Sequence, residues 1–197
     1  MQSEEDSGRG RPVAFSHLAV VVTDIELSAR FYHQALGFER AERSYEGRGA
    51  SLEQLMGLSA GSQIDALFLS HGTFLLELMA FRGTQSGTHG SRVREAVGFA
   101  HLSFVVDDIN KCFERVRSLR GTALVESRTA IPFGGGEPVV LAFVTDPDGN
   151  RIELIEHPDD EARTAHGQFL NADSFDWPPV TAPRVLRDAP LQVAGGD

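Results

Sequence analysis

Apolar positions along the chain alternate between two periods. A short apolar run, Leu18 to Val22, is followed by Ile25, Leu27, Ala29, Phe31, Tyr32, Ala35 and Leu36 at helical spacing, and Gly37 supplies a stop. Asp24 stands where a helix N-cap belongs, its carboxylate able to accept from the free N–H groups of the first turn. The pattern returns 84 residues later: His17-Leu-Ala-Val-Val-Val-Thr-Asp-Ile is answered by His101-Leu-Ser-Phe-Val-Val-Asp-Asp-Ile. Here Asp108 is the cap, Ile109, Cys112, Phe113, Val116 and Leu119 form the stripe, and Gly121 closes the helix.

The later part of each copy repeats too. Ala66-Leu-Phe-Leu and Leu75-Leu-Glu-Leu in the first match Leu141-Ala-Phe-Val and Arg151-Ile-Glu-Leu in the second. Each pair reads as a hairpin, turning through Ser70-His-Gly-Thr and Asp146-Pro-Asp-Gly-Asn, which are rich in residues that preset a turn or tolerate positive φ. Further strands are expected near 38–44 and 122–128, where the alternation is short and partly charged. The order is therefore strand, helix, three strands, twice over, in an α+β chain.

The predicted organisation is an N-terminal tail (1–12), a first module (13–82), a linker (83–98), a second module (99–157) and a proline-containing arm (158–197). The first module carries an insert at 44–63, in which Ser51-Leu-Glu-Gln-Leu-Met-Gly predicts a short capped helix and a lid. In the arm, Phe169, Leu170, Phe175 and Trp177 are apolar anchors expected to pack over the domain or a partner subunit.

Composition narrows the possible partners. Acidic residues outnumber basic ones by 28 to 18 and no Lys/Arg run exists, so nucleic acid and anionic membranes are not expected partners. The apolar runs are strand-sized, far short of a membrane span. The N-terminus is acidic and polar where a secretory signal needs a basic start and an apolar run. One cysteine, Cys112, rules out an internal disulfide and suits a reducing cytoplasm, so a cytoplasmic protein is expected.

The chemistry lies in the repeat. Each module has one histidine at the head of its first strand, His17 and His101, and one glutamate in its last strand, Glu77 and Glu153. Glu77 sits in Phe-Leu-Leu-Glu-Leu-Met and Glu153 in Ile-Glu-Leu-Ile, where an unpaired buried carboxylate would cost several kcal/mol. Alternation puts Glu77 on a face with Leu75 and Met79, and Glu153 with Arg151 and Ile155. Two imidazoles and two carboxylates suit a borderline divalent ion and leave about two octahedral positions for water or substrate oxygens. The competing reading pairs the glutamates with arginines across strands and hydrogen-bonds the histidines in the core. Placement of all four at equivalent points of an internal repeat favours the metal.

His-Leu-x-Phe-Val-Val-Asp-Asp-Ile and Asp-Pro-Asp-Gly-Asn-x-Ile-Glu-Leu-Ile-Glu resemble the vicinal-oxygen-chelate superfamily, to which glyoxalase I, bleomycin resistance proteins and extradiol dioxygenases belong. The resemblance spans about residues 13 to 157. It implies two tandem βαβββ modules in a cupped mixed sheet around one divalent metal (Ni, Co, Zn, Mn or Fe), with His17, Glu77, His101 and Glu153 as ligands. The full His/Glu/His/Glu set resembles glyoxalase I more than relatives with two histidines and one glutamate. It implies a lyase or isomerase that moves a proton through an enediolate of an α-hydroxycarbonyl or thioester-type small molecule, as lactoylglutathione lyase does. Glu153, or else Glu77, would be the base, and the resemblance implies a homodimer. Glu53 in the insert is a secondary candidate. The alternatives are an oxygen-dependent metalloenzyme of the dioxygenase kind, or a metal-free protein that binds an antibiotic or other small molecule. Arg43, Arg48 and Arg92 are candidates for meeting an acidic substrate, and Ile131-Pro-Phe-Gly-Gly-Gly reads as a loop near the site.

Overall fold

The computed structural model describes residues 14–83, 97–131 and 137–161. The N-terminal tail, most of the linker with Arg92, residues 132–136 of the loop after Ile131, and most of the arm with Phe169, Leu170, Phe175 and Trp177 lie outside the described residues. The first module runs β1 (Leu18–Val21), α1 (Ile25–Leu36), β2 (Glu39–Arg48), α2 (Ala50–Met56), β3 (Gln63–His71) and β4 (Phe74–Arg82). The second runs β5 (Leu102–Val106), α3 (Ile109–Ser118), β6 (Thr122–Ile131), β7 (Val139–Thr145) and β8 (Arg151–Glu156). Each makes a mixed four-stranded sheet, ordered β1-β4-β3-β2 and β5-β8-β7-β6. In both, the first strand lies parallel to the last and the remaining pairs are antiparallel. The chain is thus an α+β protein of two βαβββ modules, as the repeat predicts.

The helix caps act as their residue types require. Asp24 accepts from Leu27 N–H at 2.9 Å, and Asp108 accepts from Lys111 N–H at 3.0 Å. The backbone bond to Lys111 holds the Asp108 carboxyl below its usual range. Gly37 ends α1 in the left-handed conformation. The end of α3 differs from the expectation. There the left-handed residue is Arg120 (φ 67°), and Gly121 N–H donates to Val116 O at 3.0 Å. Gly121 is needed for another reason. A Cβ on it would lie 2.5 Å from the Thr145 carbonyl oxygen and 2.6 Å from the Phe31 ring, so its bare backbone lets α3, β7 and α1 meet.

The insert also departs from the expectation. β2 continues through Ser44 to Arg48, so the first residues assigned to the insert are strand, reached through a register shift between Arg40 and Ser44. α2 forms where a short helix was expected, but its N-cap is Gly49 with no side-chain bond. Ser51 falls inside the helix. α2 lies against the sheet, with its Leu52, together with Leu58 just beyond it, packed on Ile64, Ala66 and Met79. Its position is that of a brace.

One core serves both modules. Phe31, Tyr32, Leu76 and Leu78 of the first pack with Ile109, Phe113, Val116, Ile152 and Leu154 of the second. Cys112 is a free, buried thiol in this core, its pKa raised by desolvation. Residues 76 and 78 of β4 therefore turn towards the helices, and 77 and 79 towards the opposite face of the sheet. Among the described residues no helix is long and apolar enough to cross a membrane.

Candidate functional site

β1 and β5 begin one residue after His17 and His101, so each imidazole sits at the head of an edge strand beside the last strand of its sheet. The parallel register brings Ala19 opposite Glu77 and Ser103 opposite Glu153. Each histidine therefore reaches the glutamate of its own module. His17 Nε2 is 3.1 Å from Glu77 Oε2, and His101 Nε2 is 3.5 Å from Glu153 Oε2. A phenylalanine one strand further in orients each imidazole. His17 stands edge-on to Phe68 at 5.5 Å between centroids, and His101 stands edge-on to Phe143 at 5.3 Å. Phe68 and Phe143 are the antiparallel neighbours of the two glutamates, so both modules repeat the same arrangement of His, Glu and Phe.

Differences appear in what else touches the carboxylates. The Glu77 side chain is 5% exposed and met at both oxygens, because Tyr45 OH donates to Oε1 at 2.6 Å while His17 Nε2 faces Oε2. Desolvation, followed by that bond, pushes the Tyr45 phenol up to about 12. The Glu153 side chain is 19% exposed, and among the described residues only its Oε2 is engaged, by His101 and by Ser103 Oγ at 2.7 Å. Arg151, on the Glu153 face, lays its guanidinium 4.2 Å from the Phe143 ring centre.

The four sequence-predicted residues thus come together as two pairs. Among the described residues no group of three or more His, Cys, Asp or Glu side chains converges within the chain. Each pair nevertheless has the character of half a metal site. Both Nε2 atoms lie against a carboxylate oxygen, and the second ring nitrogen of His17 is 2.9 Å from Ser16 Oγ, a contact that orients the ring. A borderline divalent ion fits these donors if two such pairs meet.

Other polar side chains have structural places. Glu53 accepts from Gly61 N–H at 2.7 Å and so closes the turn after α2. His33 Nδ1 lies 2.6 Å from Phe38 O and ties α1 to the entry of β2. Arg43 and Arg48 are exposed on β2. The residue that sequence reasoning missed is Tyr45. Its only signal was an aromatic residue in a stretch taken as insert.

Residues 14–154 match the family model "Glyoxalase/Bleomycin resistance protein/Dioxygenase superfamily". The chain is 29% identical over 141 residues to a lactoylglutathione lyase of Haemophilus influenzae, covering 72% of this chain and 90% of that one. It is 28% identical over 140 residues to a probable lactoylglutathione lyase of Synechocystis, covering 71% and 92%. A solved glyoxalase family protein from Bacillus cereus superposes with a TM-score of 0.63 at 17% identity, over 76% of this chain and 97% of that one, a likeness of fold. With the two βαβββ modules and a match over most of its length, the chain belongs to the glyoxalase/bleomycin resistance protein/dioxygenase superfamily.

Proposed function

We propose that this protein is a divalent-metal-dependent isomerase or lyase of the glyoxalase I type, acting by proton transfer on an α-hydroxycarbonyl or thioester-type small molecule. The observation that carries the proposal is the pair of matching His–Glu half-sites, one on each module. Relatives called lactoylglutathione lyase support the reaction class. His17, Glu77, His101 and Glu153 would hold the ion, which when bound supplies Lewis-acid stabilisation of negative charge on substrate oxygens.

The half-sites belong to one centre only if the first module of one copy faces the second module of another. Two features favour that homodimer. Among the described residues β1 and β5 are edge strands with one strand neighbour each, and Val21 and Val105 on them are 49% and 36% exposed. An isologous pairing would cover both edges and build two equivalent sites.

Within such a site the carboxylates divide the work. Glu153 is the base that takes the proton from the carbon beside the carbonyl and returns it to the neighbouring carbon. Among the described residues its second oxygen is unengaged, and its side chain is the more exposed of the two, so it can move. Glu77, met at both oxygens, stays in place.

Two measurements test this reading. Native protein analysed by mass spectrometry is expected to carry a divalent metal, with much less in Glu77→Gln and Glu153→Gln. Metal-loaded protein given a glutathione-linked α-hydroxycarbonyl is expected to form a thioester, with transfer all but abolished in Glu153→Gln. Metal-free protein and activity indifferent to both substitutions would defeat the proposal, and oxygen uptake on turnover would replace it with the dioxygenase reading.

A further inference from the structure

The two half-sites repeat in His, Glu and Phe, but the first has a phenol that the second lacks. Tyr45 stands on the part of β2 beyond the register shift, opposite Ala66, which brings its ring over the face that carries Glu77. There it donates the 2.6 Å bond to Glu77 Oε1 and lies 6.4 Å from the Phe68 ring centre. Behind it the chain has made room. A Cβ on Gly47 would meet Leu52 Cδ2 at 2.8 Å and Tyr45 Cε2 at 3.7 Å, so the missing side chain lets Leu52 of α2 close in beside the phenol. Leu52 is in turn seated on the patch of Ile64, Ala66 and Met79. The strand extension and α2 together bring Leu52 and the Tyr45 ring to the same bare stretch of backbone at Gly47.

We infer that Tyr45 is a positioning residue that fixes Glu77 as the stationary carboxylate of the site, with α2 as its brace, and so leaves Glu153 as the movable one. Three observations agree. The bond is short and charge-assisted, of the kind that holds a metal-ligating carboxylate in one orientation. It takes the oxygen that His17 does not. The equivalent support of Glu153 is a serine on the oxygen already facing His101, which leaves that carboxylate free to rotate. The inference rests on the metal-site reading above.

The test is Co(II) binding to metal-stripped full-length protein, measured by calorimetry and by the visible absorption of the bound ion. Tyr45→Phe keeps the half-exposed ring and removes only the hydroxyl. Loss of such a supporting bond is expected to weaken Co(II) binding about 10- to 100-fold and to shift the spectrum, with secondary structure unchanged by circular dichroism. Leu52→Ala, which keeps the phenol but loosens its support, is expected to move both readouts the same way by less. Tyr45→Phe with wild-type affinity and spectrum overturns this inference alone. Wild-type protein that binds no Co(II) overturns the metal-site reading with it.

Discussion

The phenol of Tyr32, on the helix of the first module, donates a hydrogen bond at 3.1 Å to the carboxylate of Asp146, in the last turn of the second. Both groups are buried. Asp146 also accepts from Asp148 N–H, Asn150 N–H and the Asn150 amide, so the turn is organised around this one carboxylate. Asp148 completes the joint by accepting from Thr23 N–H at 3.1 Å and Thr23 OH at 2.6 Å, at the start of α1. The modules are thus bonded as well as packed. Tyr32→Phe is expected to destabilise by about 1 kcal/mol, since Asp146 keeps its other donors. Asp146→Ala, which orphans them, should cost about 3 kcal/mol or more in urea denaturation.

The same joint sets a pH dependence. Burial, followed by the Asp146 charge, raises the Tyr32 pKa well above 10.0. Above that pH the unfolded chain loses the phenolic proton while the folded chain keeps it, so the folded state binds more protons and stability falls as pH rises. Asp146 has the same sign at the other end of the scale. Desolvation raises its pKa, so its contribution declines as pH climbs from the ordinary value of 3.8 through the raised one. Ultraviolet titration of the native protein should show no phenolate at pH 10 from either of its two tyrosines, and Tyr32→Phe should flatten the alkaline fall in stability.

Gly121→Ala is expected to destabilise far more than an exposed glycine would. Its Cβ would meet the Thr145 carbonyl oxygen at 2.5 Å, and backbone cannot swing aside as a side chain can. Overpacking of this kind costs about 1–3 kcal/mol. Gly149→Ala, with nothing within 4 Å but a φ of 84°, should cost less, as backbone strain alone. The order of the two thermal midpoints checks the assignment.

The proposed sharing of sites between two copies makes a distinctive prediction in mixtures. One variant lacks the first half-site (His17→Ala with Glu77→Ala), the other the second (His101→Ala with Glu153→Ala). Each alone is expected to bind no metal tightly. Unfolded together and refolded at equal amounts, they should recover about a quarter of the wild-type metal sites, because half the dimers are mixed and each has one intact site. No recovery, with dimers confirmed by sedimentation, would mean that the pairs never meet across copies.

The repeat, the caps and the four His/Glu positions were legible because they are local. A cap is three residues long, a strand face is set by alternation, and a duplicated motif needs only comparison of the chain with itself. Tyr45 was not legible, because its role depends on a register shift after Arg40 that moves an apparently loop-like segment into the sheet. The role of Gly121 was misread for a similar reason. Its spacing matched a helix stop, whereas its contacts are with Phe31, 90 residues away, and Thr145.

By itself the sequence determined the two modules and the placing of one histidine and one glutamate at equivalent points of each, since burying a carboxylate in an apolar strand demands a partner wherever that strand packs. The tertiary structure decided how the parts combine. Each histidine reaches the glutamate of its own module because parallel pairing puts the first strand beside the last. The packing of both helices into one core turns the two glutamate faces away from it. It also decided that, among the described residues, Glu77 is met at both oxygens and Glu153 at one. That difference arises from contacts between strands far apart in the chain, which no local pattern encodes.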